Sequence, residues 1–182
     1  MARGNSRADS ELAPAAKRKT VEQKVADAIL ADPSLSIGKG IMGDFIIVKE
    51  GGVTGSFSAN VQTTNDPNGW SYMNFEGIKG KVKGIYLQKI ESDQPGGGNL
   101  ALRKVIELSE KFNLPVFLTP LPFGGKGKLT AEQLTDWYAR NGFKQIPMPW
   151  YHTGSNRMIR LPTKYGKPLD EVLKKLPPKF ES

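Results

Sequence analysis

The chain has no cysteine and only one histidine, His152, among its 182 residues. Without cysteine there can be no disulfide, no thiolate metal site and no cysteine nucleophile. A single histidine rules out a multi-histidine metal site and offers no partnered triad, so His152 reads as a loop histidine beside Trp150 and Tyr151. Long apolar runs are missing as well. None approaches the roughly 20 residues of a membrane span, and the start, Met1 to Ser6, lacks the apolar centre of a signal peptide. Acidic residues are also in deficit. The chain carries 26 Lys and Arg against 18 Asp and Glu, a formal charge of +8. Such a charge favours anionic partners such as phosphates, nucleic acid or an acidic protein, without choosing among them. With 38% hydrophobic residues, the length suits one domain with a sizeable core, and the expected location is cytoplasmic.

What is present falls into three parts. Residues 1–19 are small, polar and basic, and read as a disordered tail. Residues 20–162 read as a single domain, with its most informative part over 82–161. Residues 163–182 form a basic extension in which Leu169 to Leu176 suggests a short helix. Within the domain, Thr20 can cap a helix carrying Val21, Val25, Ala28 and Ile29, which ends near Asp32-Pro33. Met42 to Lys49 reads as a strand. After Gly51-Gly52, the segment Val53 to Val61 alternates apolar and polar residues as a half-buried antiparallel strand does. A turn over Asn65 to Gly69 leads to a third strand, Trp70 to Ile78. Trp70, Tyr72 and Phe75 there could line a pocket, but core packing is the plainer reading.

The most directive segment begins at the apolar strand Ile85 to Ile90. Gln94 to Asn99, with its three glycines, cannot continue that strand. Ala101, Val105, Leu108 and Phe112 then recur at helical spacing, so the glycines stand at a helix N-terminus. Free N–H groups and the positive end of the helix dipole favour a phosphate there. Pro115 to Thr119 reads as a second buried strand, parallel to the first through a right-handed crossover. Thr130-Ala131-Glu132-Gln133 is a capping box opening a helix with Leu134, Trp137 and Tyr138 on one face, and Gly142 ends it. Met158 to Leu161 adds a late strand.

Strand, glycine turn, helix, strand, and a helix ending in Tyr138-x-x-x-Gly142-Phe143 resemble the conserved half of the GNAT N-acetyltransferase superfamily. The resemblance implies an α/β (α+β) fold built on a mixed central β-sheet, with antiparallel N-terminal strands and helices on both faces. It also implies acetyl-CoA as co-substrate, no metal and no membrane partner. The family's diphosphate-binding turn has the pattern Gln/Arg-x-x-Gly-x-Gly/Ala. It fits here in two registers, Gln94-x-x-Gly97-x-Asn99 and Asp93-x-x-Gly96-x-Gly98, each with one departure. The favoured reading is backbone donation from Gly96, Gly97, Gly98 and Asn99, with Gln94 as a side-chain donor. A main-chain N–H around Lys89, Ile90 or Glu91 is implied to hold the thioester carbonyl oxygen, and Tyr138 to protonate or hydrogen-bond the departing thiolate. Glu91, Asp93 and Glu76 are the candidate general bases, with Glu91 taken as the catalytic one. Lys126, Lys128, Arg140 and Lys144 are candidates for the 3'-phosphate of CoA.

Departures remain. Ala131 stands where the family places an asparagine, and the N-terminal helix precedes the first strand instead of following it. The acceptor amine stays open among protein, small molecule and RNA. So does a second class of function, a GNAT-like fold serving as a binding module that meets nucleic acid or an acidic protein through its basic tails. The 123–128 insert and the helix after it look similar to phage-encoded members of the superfamily, which would place the protein in a host cytoplasm.

Overall fold

Thr20 caps the first helix as expected: its side chain accepts from the Gln23 N–H, and Gln23 reaches back to the Thr20 N–H at 2.9 Å. That helix, α1, runs Val21–Ala31 and opens the described part of the computed structural model, which covers residues 18–40, 43–63, 83–122, 129–145 and 157–163. The predicted strand Trp70 to Ile78, the insert 123–128, His152 and the helix at 169–176 lie outside these residues. So do Glu76 and nearly all of both basic ends.

Seven described strands follow: β1 (Leu35–Gly40), β2 (Gly43–Glu50), β3 (Val53–Thr63), β4 (Lys83–Glu91), β5 (Val116–Leu118), β6 (Lys144–Gln145) and β7 (Met158–Arg160). Helix α2 (Gly97–Phe112) connects β4 to β5, and α3 (Ala131–Arg140) follows β5. The sheet order is β1-β2-β3-β4-β5-β7-β6, with β4 and β5 parallel and every other pair antiparallel. The expected mixed sheet with antiparallel N-terminal strands is therefore present. Gly51 and Gly52 turn the β2–β3 hairpin at φ +58° and +79°, the pair of positive angles that a two-residue turn needs to match the twist of its strands.

Register places Val48, Phe57, Leu87, Ile85, Val116 and Leu118 on one face of the sheet. Against it α2 lays Ala101, Leu102 and Val105, and α1 adds Val25. From the far end come Tyr138 of α3 and Phe143. Full burial of residues such as Leu102 and Val105 contributes about 1.5–3 kcal/mol each. All three described helices feed this one cluster. No described helix is long and apolar enough to cross a membrane.

The two ends of α2 are fixed by polar contacts. At its C-terminus the buried Ser109 hydroxyl donates to Leu114 O at 2.7 Å, closing the helix around left-handed Asn113. Near it Glu110 accepts from Arg160 at 2.8 Å and from the Thr163 N–H at 2.9 Å, tying β7 to the helix. Burial pushes the Glu110 carboxyl up, but these donors outweigh it and leave the group below its usual range. Its N-terminus is held against β3, in a way that shapes the site.

Candidate functional site

Strand β4 has nine residues, but β5 has three and pairs with only Ile85, Tyr86 and Leu87 of β4. Beyond Leu87 the two strands part. The opening between them is a cleft of about 580 Å³, walled by the end of β4, the glycine turn, and Leu134, Trp137 and Tyr138 of α3.

A β-bulge decides which backbone groups face this opening. The Ile85 N–H donates to Pro115 O at 2.8 Å, so Ile85 faces β5, and Tyr86 and Gly84 make the hydrogen-bonded pairs with β3. In a regular ladder Lys89 would then face the β5 side. The register instead jumps at Ser58/Ala59, so that Ser58 opposes Lys89 while Ala59 opposes Leu87, with Gln88 as the extra residue. That slip turns Lys89 and Glu91 toward β3 and leaves Ile90 on the open edge. Ile90 N–H is therefore a backbone donor aimed where no described strand accepts from it.

The glycine turn is seated by contacts rather than by sequence pattern. Ser92 Oγ donates to Gln94 O at 2.8 Å and accepts the Gln94 N–H at 3.1 Å, which closes the turn. The Gln94 side-chain oxygen accepts the Thr54 N–H at 2.9 Å, so this residue anchors the turn to β3. Its amide nitrogen has no partner among the described residues. Gly96 is the helix cap at φ +86°, a conformation that favours glycine. Gly97 packs its backbone on Gly55 of β3: a Cβ on Gly97 would strike Ser92 Oγ and Thr54 O, and a Cβ on Gly55 would sit 2.7 Å from Gly97 C. The Gly97 N–H is also used, donating to Gln94 O at 3.2 Å. Gly96, Gly98 and Asn99 line the cleft and Gly97 does not, which matches the Gly96-x-Gly98 spacing; Asp93 is not among the lining residues.

Tyr138 closes the other side. Its ring lies between Trp137, at 4.7 Å between centroids, and Phe143, at 5.5 Å, and burial pushes its hydroxyl up to about 12. The phenol is thus a proton-bearing donor throughout the neutral range, and it makes no hydrogen bond among the described residues. The capping box at Thr130 is formed, with Thr130 N–H to Gln133 at 2.9 Å, and Gly142 ends the helix at φ +84°. Trp137 Nε1 donates to Asn99 Oδ1 at 2.7 Å, locking α3 to the first turn of α2 across the cleft.

No family model matches the sequence, and no curated protein matches it. Among solved structures, the chain is similar to the Bacillus subtilis N-acetyltransferase YlbP in complex with coenzyme A. The TM-score is 0.39 and the identity 16%, over 65% of this chain and 67% of that one. It is also similar to a bacterial toxin, with a TM-score of 0.40 and 14% identity over 79% of this chain and 74% of the toxin.

Lys89, Ile90, Glu91, Gln94, Gly96, Gly98, Asn99 and Tyr138 all line the one cleft. Glu91 is ion-paired with Lys89 at the strand end. Arg140 and Lys144 are exposed and do not line it, and Lys126 and Lys128 lie outside the described residues. Two contributors carry no sequence signal of their own. Ser92 is a lone serine between acids, and Trp137 reads simply as part of an apolar helix face. The bulge at Gln88 is likewise silent in the sequence, because a one-residue slip depends on the partner strand. Among the described residues no group of three or more His, Asp or Glu side chains could hold a metal.

Proposed function

We propose that the chain is an acetyl-CoA-dependent N-acyltransferase of the GNAT type. One observation carries the reading: a bulge turns Ile90 N–H into the gap between parted parallel strands, with a helix N-terminus on one side of that gap and the Tyr138 hydroxyl on the other. The residues fit a CoA thioester. Gly98 and Asn99 stand at the start of α2, where N–H groups precede the first internal helix bond, Leu100 N–H to Gly96 O at 3.0 Å. Leu87, Leu121, Leu129 and Leu134 supply an apolar wall for an uncharged arm.

The reaction follows from those positions. The acceptor nitrogen attacks the thioester carbonyl carbon, and charge moves onto the carbonyl oxygen, where Ile90 N–H is already oriented. A backbone donor of this kind costs no reorganisation during the reaction. The carbon–nitrogen bond forms as the carbon–sulfur bond breaks, and the proton of the attacking amine passes to Glu91 directly or through water. Tyr138 faces the sulfur. A phenol near 12 is a weaker acid than a thiol at about 8.5, so Tyr138 stabilises the departing thiolate by hydrogen bonding and solvent completes its protonation.

Calorimetric titration with acetyl-CoA and with desulfo-CoA tests the reading. Both ligands should bind, since the turn and the apolar wall recognise parts that they share. No detectable heat up to millimolar ligand would overturn the assignment and leave the fold as a binding module.

A further inference from the structure

Strand β1 lies at the edge of the described sheet, and one hydrogen bond shows which of its backbone groups face outward. Lys49 N–H donates to Ser34 O at 2.9 Å, and β1 pairs with β2 so that Leu35 opposes Val48. Ser34 therefore faces β2, and because facing alternates along an antiparallel ladder, so do Ser36, Gly38 and Gly40. Leu35, Ile37 and Lys39 turn their backbone groups outward. The Leu35 N–H is used locally, donating to Asp32 O at 3.0 Å. The Leu35 carbonyl and both backbone groups of Ile37 and Lys39 meet no partner among the described residues.

Such an edge is normally blunted by proline, a bulge or a charge. β1 has no proline and keeps an unbroken register, and its single charge, Lys39, stands opposite Asp44 of β2. Its apolar side chains are uncovered as well. Four large apolar residues are strongly exposed among the described residues, and two of them, Leu121 and Leu129, line the cleft. The other two are Ile37, 53% exposed, and Leu30, 70% exposed, in the helix that packs on β1. Register puts Ile37 on the same face as Ile46, the face that α1 covers. Residues 1–17 contain no β-branched or aromatic residue and include Pro14, so the chain's own start is a poor strand for this edge.

We propose that β1 is a self-association edge, at which two copies of the chain join antiparallel about a two-fold axis through Ile37. With Ile37 opposite its own copy, Leu35 opposes Lys39 of the second copy. The Ile37 pair exchanges two hydrogen bonds, and each Lys39 N–H donates to the Leu35 carbonyl across the axis. The donor already spent, Leu35 N–H, falls at the end of the interface, where the Lys39 carbonyl keeps its water. This register holds the two lysines apart and sets the two Ile37 side chains side by side on the helix-covered face. The cleft beside β4 is three strands away, about 14 Å from the edge, so both clefts stay open and the inference is independent of the acyl-transfer reading.

Sedimentation velocity of the full chain across the micromolar range tests it. The mass should rise with concentration from 20.0 kDa toward twice that value. Ile37→Lys removes the apolar contact and sets like charges against each other at the axis, so it should weaken association about ten-fold, and Ile37→Glu should do the same. An equimolar mixture of the two variants should associate again, because lysine then faces glutamate. Both variants should keep the parental far-UV circular dichroism, since the side chain they replace is half exposed. A monomer at every concentration, association unchanged in Ile37→Lys, or a mixture that associates no better than either variant alone overturns the proposal.

Discussion

Two adjacent glycines at the start of α2 should respond in opposite ways to the same substitution. In Gly97→Ala the new methyl collides with Ser92 Oγ and Thr54 O and lies 2.7 Å from Ser92 Cβ. Two of these atoms belong to the network that closes the turn on β3, so the helix must lift off the sheet to make room. Overpacking of this kind costs about 1–3 kcal/mol. In Gly98→Ala the methyl meets Ile90 Cγ2 at 3.9 Å and Trp137 Cζ2 at 4.0 Å, which are ordinary contacts. Alanine in a helix is favoured over glycine by about 0.5–1 kcal/mol, so this variant should be as stable as the parent or slightly more so. Its methyl nevertheless stands in the cleft wall, where a diphosphate must approach the backbone. Urea unfolding should therefore show a lower midpoint with unchanged slope for Gly97→Ala, and a midpoint at or above the parent for Gly98→Ala. Calorimetry should show acetyl-CoA binding weakened about ten-fold or more in Gly98→Ala. A parental midpoint for Gly97→Ala would refute the seat on β3, and parental affinity in Gly98→Ala would refute the phosphate site.

Tyr138→Phe should lower kcat about 100-fold while leaving acetyl-CoA affinity near the parent value, because the hydroxyl acts on the leaving sulfur; an unchanged kcat would assign that role to another group. The same pair of proteins tests the pKa. The folded state holds the Tyr138 proton up to about 12 against an ordinary value of 10.0, so it binds more protons than the unfolded chain in between. Its contribution is complete below pH 10 and is lost as pH rises through 12, so the parent should lose about 2–3 kcal/mol relative to Tyr138→Phe over that window. Parallel stability curves for the two proteins would contradict the burial argument. Trp137→Phe deletes the 2.7 Å bond to Asn99 Oδ1 and should cost about 0.5–1.5 kcal/mol, with a several-fold loss of CoA affinity by calorimetry; unaltered affinity would mean that Asn99 holds its place unaided.

The helices were the most legible elements because each announces its own ends. Thr20, Thr130, Gly96 and Gly142 act through local backbone geometry, and all four do what their residue types dictate. Strands depend on partners, and there the sequence was less explicit. Strand β1 carries apolar–polar alternation over only Leu35 to Ile37, and its Gly38 and Gly40 make room for the Phe45 ring that covers it. The two-residue β6 is too short to leave a pattern. Within the site, the glycine run and Tyr138 could be picked out, but the division of labour among the glycines could not. Gly97 differs from Gly98 only through Gly55, Thr54 and Ser92, residues 5 to 43 positions away in the chain.

The cleft lies where one strand outruns its neighbour. A backbone N–H inside a sheet is normally satisfied by the neighbouring strand, and leaving one without a partner is costly when water is excluded. Here β5 ends at Leu118, Pro120 lies buried just beyond it, and β4 continues for four more residues. The ladder to β3 persists through those residues, so β4 stays extended while its other edge is bare. Without the bulge, the bare edge at this level would present Lys89; with it, Ile90 comes to the edge and Lys89 and Glu91 turn together toward β3. One inserted residue thus sets a backbone donor on the cleft side and turns the neighbouring acid the other way along the same strand. Deleting Gln88 should restore a regular ladder and exchange the two. The prediction is a folded protein with its thermal transition retained and acyl transfer lost; transfer at the parental rate would show that the bulge has no part in orienting the donor.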